Sequence, residues 1–258
     1  AGIVAKHLQS AGADVTFSTV LGDDALAEFA LGDLAKAGVK CMPIIDPTRP
    51  TTCKNSIVAA GYNLLKIDTL DNRSISERLL GIISEQVSNT AADIVVFSDF
   101  RHGIFNRATI PPLTNAIPGG VFRVADSQVA SRWGNILEFR GFDLITPNER
   151  EARFALGDQD SVIRPLGLEL YRQSGCNTLI LKLGERGLLT YRSIPAKIED
   201  VRAFFTVDSF AGHVVDPVGS GDALLAYAAL SLFTTKSSVI ASVIGSMAAA
   251  VECEREGN

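Results

Sequence analysis

Asp216-Pro217-Val218-Gly219-Ser220-Gly221-Asp222 stands between the apolar run His213-Val214-Val215 and the small-residue run Ala223-Leu224-Leu225-Ala226-Tyr227-Ala228-Ala229. A strand-like segment that ends in glycines and continues as a helix aims backbone N–H groups and the positive helix end at one point, a seat for phosphate oxygens. The carboxylate of Asp222 falls among those donors. A hydroxyl attacking phosphorus must lose its proton, and an acid placed there can take it. Gly219 and Gly221 let the backbone approach a ligand closely, with the small Ser220 between them. The plainer alternative is a helix N-terminus in which Asp222 only favours the dipole.

Upstream of this stretch, helical and strand-like patterns alternate. Val4, Leu8 and Ala11 keep helical spacing, Val15, Phe17 and Val20 suit a strand, 25–37 reads as a helix and 39–45 as a strand. Asp23 or Asp24 would cap that second helix and Gly38 would end it. Residues 51–67 suit two strands around a turn at Gly61. Preceded by the turn-rich Asp46-Pro47-Thr48-Arg49-Pro50, they form a small β lid within 41–68. Ile75, Leu79, Ile82, Ile83 and Val87 predict a helix leading to Ile94-Val95-Val96-Phe97, a strand expected to be buried on both faces. Strands at 121–124, 144–146 and 178–183 end at Ala125-Asp126-Ser127, Pro147-Asn148 and Gly184. This alternation predicts one α/β domain over 1–258, with a mainly parallel sheet covered by helices. Ligands of such sheets sit beyond the carboxyl ends of the strands, which gathers Asp99, Asp126, Asn148, Glu151, Lys182 and the 219–222 loop along one edge.

Composition narrows the function. With 258 residues, 47% of them hydrophobic, the chain can bury a substantial core. A net charge of -5, from 24 basic and 29 acidic side chains, gives no electrostatic reason for a nucleic-acid partner. Cys41, Cys53, Cys176 and Cys253 lack metal or disulfide spacing and read as thiols of a reducing cytoplasm. The apolar stretches 223–233 and 239–251 are separated by Thr234-Thr235-Lys236-Ser237-Ser238, which predicts two buried helices and no membrane span. No Gly-X-Gly-X-X-Gly opens an early β-α unit, which argues against a dinucleotide-dependent oxidoreductase.

Two further motifs admit both a structural and a chemical reading. Pro147-Asn148-Glu149-Arg150-Glu151 follows a strand and starts a helix, so Asn148 and Glu151 have capping-box spacing. Leu181-Lys182-Leu183-Gly184-Glu185-Arg186-Gly187 looks like a tight strand-turn-strand, with Lys182 either a solvated charge or a ligand group. His213 reads as structural or close to a bound base, because the 3 histidines show no metal spacing.

Together these motifs resemble the PfkB, or ribokinase-like, family of carbohydrate kinases, and the resemblance covers nearly the whole chain. It implies a three-layer α/β/α sandwich with a β lid. Residues 216–222 resemble the family's second signature, in which Gly-X-Gly-Asp forms an anion hole and its Asp is the base. Pro217, Val218 and Ser220 depart from the usual residues there. The family's Asn-X-X-Glu implies that Asn148 and Glu151 support Mg2+, its waters and the phosphates of ATP. Lys182 and Gly184 match the Lys-X-Gly-X-X-Gly segment beside the nucleotide. Asp216 is implied near a monovalent cation, Asp99 and Asp126 are substrate candidates, and lid strands meeting across a homodimer are implied too.

Arg49-Pro50-Thr51-Thr52-Cys53-Lys54, Leu64-Leu65-Lys66-Ile67-Asp68 and Ser98-Asp99-Phe100-Arg101-His102-Gly103 are most similar to the heptose phosphate kinase branch, the kinase domain of ADP-heptose synthases. His102 replaces a lysine of that branch's Ser-Asp-Tyr-X-Lys-Gly. Family members begin with a strand bearing a substrate-binding acid and a Gly-Gly loop, and this sequence is expected to begin within or just past that loop. The function implied is ATP-dependent phosphorylation of a sugar or sugar phosphate. The alternatives are a non-catalytic nucleotide-binding regulatory relative, or a kinase of a nucleoside or vitamin-like alcohol.

Overall fold

The structure is a computed structural model and describes residues 1–59, 62–129, 134–193 and 201–255. In chain order its elements are α1 (Gly2–Ser10), β1 (Thr16–Leu21), α2 (Ala25–Lys36), β2 (Lys40–Ile45), β3 (Cys53–Ala59), β4 (Tyr62–Thr69), α3 (Glu77–Asn89), β5 (Ile94–Asp99), α4 (Ile110–Asn115), β6 (Phe122–Ser127), β7 (Leu144–Ile145), α5 (Glu149–Leu156), α6 (Ile163–Ser174), β8 (Thr178–Lys182), β9 (Leu188–Arg192), β10 (Phe204–Val207), α7 (Ser220–Thr235) and α8 (Ser238–Cys253). The main sheet has the order β10-β9-β8-β7-β6-β5. Pairing is parallel from β5 to β8 and antiparallel at β9 and β10. β1 and β2 form a separate parallel pair, and β3 and β4 an antiparallel ribbon.

The two-residue period of the strands divides the core into layers. On β8, Leu179 and Leu181 face one cluster with α3, α4 and α6, whereas Ile180 faces a second cluster with α1, α7 and α8. β6 and β7 split likewise: Ala125 and Ile145 join the first cluster, Val124 and Leu144 the second. Helices on both faces of a mainly parallel sheet make the predicted three layers. Asp24 is the residue that caps α2, accepting from Ala27 N, and Gly38 follows that helix with φ +82°.

Three expectations change. Residues 213–215 are not a strand: Val215 N and Asp216 N both donate to Cys253 O, which ties this segment to the end of α8. Val214 and Val215 are exposed. β5 packs on both faces, Val95 and Phe97 against the first cluster and Ile94 and Val96 against the second, but it lies at the edge of the sheet and Ile94, Val95 and Val96 are only half-buried. α7 is buried along most of its length, but α8 buries a single face and exposes Ile240, Met247 and Val251. Among the described residues no helix is long and apolar enough to cross a membrane. The two strands expected around Gly61 form the β3–β4 ribbon, with the Gly61 turn outside the described residues.

Candidate active site

Neighbouring parallel strands deliver a set of polar side chains to their carboxyl ends. Asp126 is the fifth residue of β6, Thr146 follows β7, and Lys182 ends β8. A backbone bond from Lys182 N to Pro147 O (2.8 Å) and an Asn148–Lys182 bridge carry the β7–β8 pairing to the start of α5. Lys182 is not a solvated charge. Its ammonium donates to Asp126 Oδ1 at 3.0 Å, and the fully buried Thr146 hydroxyl donates to the same oxygen at 3.0 Å. Burial pulls the Lys182 pKa down, but Asp126 and Glu151 outweigh it and hold the ammonium above its ordinary value. Thr146 escaped the sequence reading, and its only signal was its place between a strand and Pro147.

Asn148 and Glu151 make a complete capping box on α5. Glu151 N donates to Asn148 Oδ1 at 2.8 Å, and Asn148 N donates to Glu151 Oε2 at 2.7 Å. Glu151 is nevertheless buried, and burial pushes its carboxyl up to about 7 against the opposing pull of Lys182.

The 216–222 loop enters from the opposite side. Asp216 Oδ1 accepts from Val218 N, and Pro217 O accepts from the Ser220 hydroxyl at 2.8 Å. Gly219 caps α7 at φ +91°, a conformation that favours glycine. Asp222 then falls in the first turn of α7, 8% exposed, with its carboxyl raised by burial. Gly221 brings the first turn of α7 up to that lysine: a Cβ there would stand 3.4 Å from Lys182 Nζ, in ordinary contact with it. Lys182 therefore joins the two halves of the site. It touches Asp126, feels the charges of Glu151 and Asp222, and lies against the first turn of α7.

A buried acid at a glycine-led helix start, facing a buried lysine across a parallel sheet edge, is suited to binding and handling phosphate. The family model for pfkB family carbohydrate kinases matches residues 3–258. The chain belongs to that family. The bifunctional protein HldE from Pelobacter propionicus is 27% identical over 265 residues, which cover 100% of this chain and 52% of that protein. The chain thus spans about half the length of the curated relatives it matches. Among solved structures, phosphofructokinase-2 from Escherichia coli in complex with potassium matches with a TM-score of 0.81 at 18% identity, covering 99% of this chain and 81% of that one. Ribokinase from Giardia lamblia matches at 0.75 and 17%, covering 99% and 82%. At these identities the structural likeness establishes the ribokinase-like fold, and the family is the one that residues 148–151, 182–187 and 216–222 implied.

The remaining candidates of this pfkB-family chain lie around that centre. Gly184 takes φ +63° in the turn between β8 and β9, as its motif implies. Asp99 is buried and engaged by protein donors: Ser127 Oγ at 2.7 Å, Asn135 Nδ2 at 2.8 Å and Arg101 N at 2.8 Å. It organises the loop after β5, in which Arg101 holds φ +65°. The β3–β4 ribbon lies beside that loop, with Lys54 over the Phe100 ring, and His102 Nδ1 is 3.1 Å from Asn72 Oδ1. His213 lies in the exposed segment that docks on α8, away from this set of hydrogen bonds.

Among the described residues no group of three or more His, Cys, Asp or Glu side chains is arranged to hold a metal. Asn148 Oδ1 and Glu151 Oε2 are both taken by the capping box. These donors would suit a Mg2+ ion held mainly by phosphate oxygens and water, to which Glu151 could offer its remaining oxygen directly or through a water.

Proposed function

We propose that this chain transfers the γ-phosphoryl group of ATP to a hydroxyl of a sugar or sugar phosphate. The observation that carries the reading is Asp222, a buried carboxylate in the first turn of α7 whose proton affinity is raised by burial. The acceptor O–H gives its proton to Asp222. The acceptor oxygen forms a bond to the γ-phosphorus as the bond to the bridging oxygen breaks, and ADP leaves with that electron pair. The first-turn amides of α7 lack partners within the helix, so Gly221 and Asp222 offer N–H groups to the transferring phosphoryl oxygens. Mg2+ near Glu151 and Asn148 would supply charge neutralisation on the phosphates. Lys182 and Gly184 flank the nucleotide phosphates from the β8–β9 turn.

The similarity of residues 49–54, 64–68 and 98–103 to heptose phosphate kinases favours a heptose phosphate among acceptors. On the lid, Ile57, Leu64, Leu65 and Ile67 are exposed apolar side chains of a two-stranded ribbon, which supports a homodimer formed through the lid. A monovalent cation near Asp216 has less support, because Asp216 Oδ1 already accepts from Val218 N.

The test is ATP consumption against a panel of sugars and sugar phosphates, heptose phosphates included, with wild type and Asp222→Asn. Turnover in the variant falls by about a hundredfold or more while ATP affinity stays within about threefold, as loss of a positioned base requires. An unchanged rate in the variant removes Asp222 from its role. No consumption with any acceptor favours a regulatory relative.

A further inference from the structure

Lys182 stands where two sources of positive potential meet. Its side chain is mostly buried, at 15% exposure, and its ammonium presses against the first turn of α7, 3.4 Å from where a Cβ on Gly221 would be. Gly221 lacks the positive φ that demands glycine elsewhere in the chain. The helix backbone and the ammonium lie within van der Waals reach of each other there. The start of a helix already carries positive potential, so a cation held there is unfavourable unless negative charge is close. Three carboxylates supply that charge in the free protein: Asp126 by contact at 3.0 Å, Glu151 and Asp222 through space.

Only Asp126 can dictate where the ammonium sits. Its Oδ1 receives both Lys182 Nζ and the Thr146 hydroxyl, each at 3.0 Å, and Thr146 is wholly buried. Two donors converging on one oxygen fix the plane of the carboxylate and hence the position of the ammonium. An anion arriving at the first turn of α7 then meets a preplaced cation together with the free amides of the helix.

Resting on the kinase reading above, we propose that Asp126, oriented by Thr146, is a positioning residue that holds the Lys182 ammonium on the transferring phosphoryl group. Lys182 then contacts the γ-phosphate, not the base or ribose, and Asp126 acts through Lys182 and is not a ligand of the acceptor. Lys182 and the α7 amides then form one cradle for the phosphoryl oxygens.

Binding of MgADP and of the magnesium complex of the non-hydrolysable triphosphate AMPPNP, measured by titration calorimetry, tests this without knowing the acceptor. Lys182→Met and Asp126→Asn lose about tenfold or more of the preference for AMPPNP over ADP, the scale of a hydrogen bond to a charged group, while ADP affinity stays within about twofold. Asp126→Glu restores a large part of the preference, which a merely structural role would not. Lys182→Met leaves a buried unpaired carboxylate and could fail to fold, so the double variant Asp126→Asn/Lys182→Met, which removes both charges, must show the same selective loss. Variants that keep the wild-type ratio, or that lose ADP and AMPPNP equally, overturn the proposal. A wild type that binds neither nucleotide overturns the kinase reading itself, a result distinct from either.

Discussion

Glu151→Gln should make the free protein more stable at pH 8, and the gain should vanish on acidification. Glu151 is 6% exposed, and burial raises its carboxyl from the ordinary 4.5 to about 7. Below about pH 4.5 both folded and unfolded chains hold the proton, so the residue adds no pH dependence. Between there and pH 7 the unfolded chain gives up a proton that the folded chain keeps, and stability falls as pH rises. Above pH 7 both states are ionised and the full penalty remains. At about 1.4 kcal/mol per tenfold change in proton affinity, the difference amounts to about 3 kcal/mol. Glutamine carries no charge, and its amide oxygen can still accept from Asn148 N. Urea unfolding of both proteins with EDTA, at pH steps from 4.5 to 8.5, should show the two curves separating up to about pH 7 and holding a constant gap above it. A gap independent of pH, or a variant that loses stability on alkalinisation in parallel with wild type, would refute the placement of a desolvated carboxylate at the start of α5.

Four other outcomes follow from individual contacts. Asn148→Ala removes the side-chain half of the capping box and should lower stability by about 1 kcal/mol, read from the urea midpoint. Gly187→Ala places a Cβ 2.1 Å from Val207 O at φ +79°, so β10 must shift and stability should fall by about 2 kcal/mol or more. Gly184→Ala, at φ +63° with open space around it, should cost about 1 kcal/mol, and equal losses in the two glycine variants would contradict the described turn. Phe139→Ala empties a site packed by Phe97, Phe105 and Phe142 and should destabilise by about 3–5 kcal/mol in the same assay.

What could be read without coordinates was local in sequence. Alternating periods placed most strands and helices, though not α4, α6 or β10, because a core on both faces of a sheet forces apolar residues to recur at two or at three and four positions. Gly219, the Asn148–Glu151 pair and the Lys182–Gly187 turn were legible because capping and tight turns depend on neighbours within a few residues. The 213–215 run misled for the same reason: its apolar side chains look like a strand, and the competing backbone bonds to Cys253 lie far along the chain. The edge position of β5 could not be read either, since apolar content does not reveal which neighbours a strand finds.

Tertiary structure alone decided the chemistry of the lysine. Lys182 and Asp126 are 56 residues apart, and Asp126 and Thr146 are 20 apart. Only the lateral order β6-β7-β8 sets their ends side by side. The motif placed Gly221 at a helix start, whereas only the fold shows that an ammonium from β8 lies beside it. Sequence patterns encode what short stretches of backbone prefer, and the potential at a buried charge depends on groups that the chain brings together only by folding.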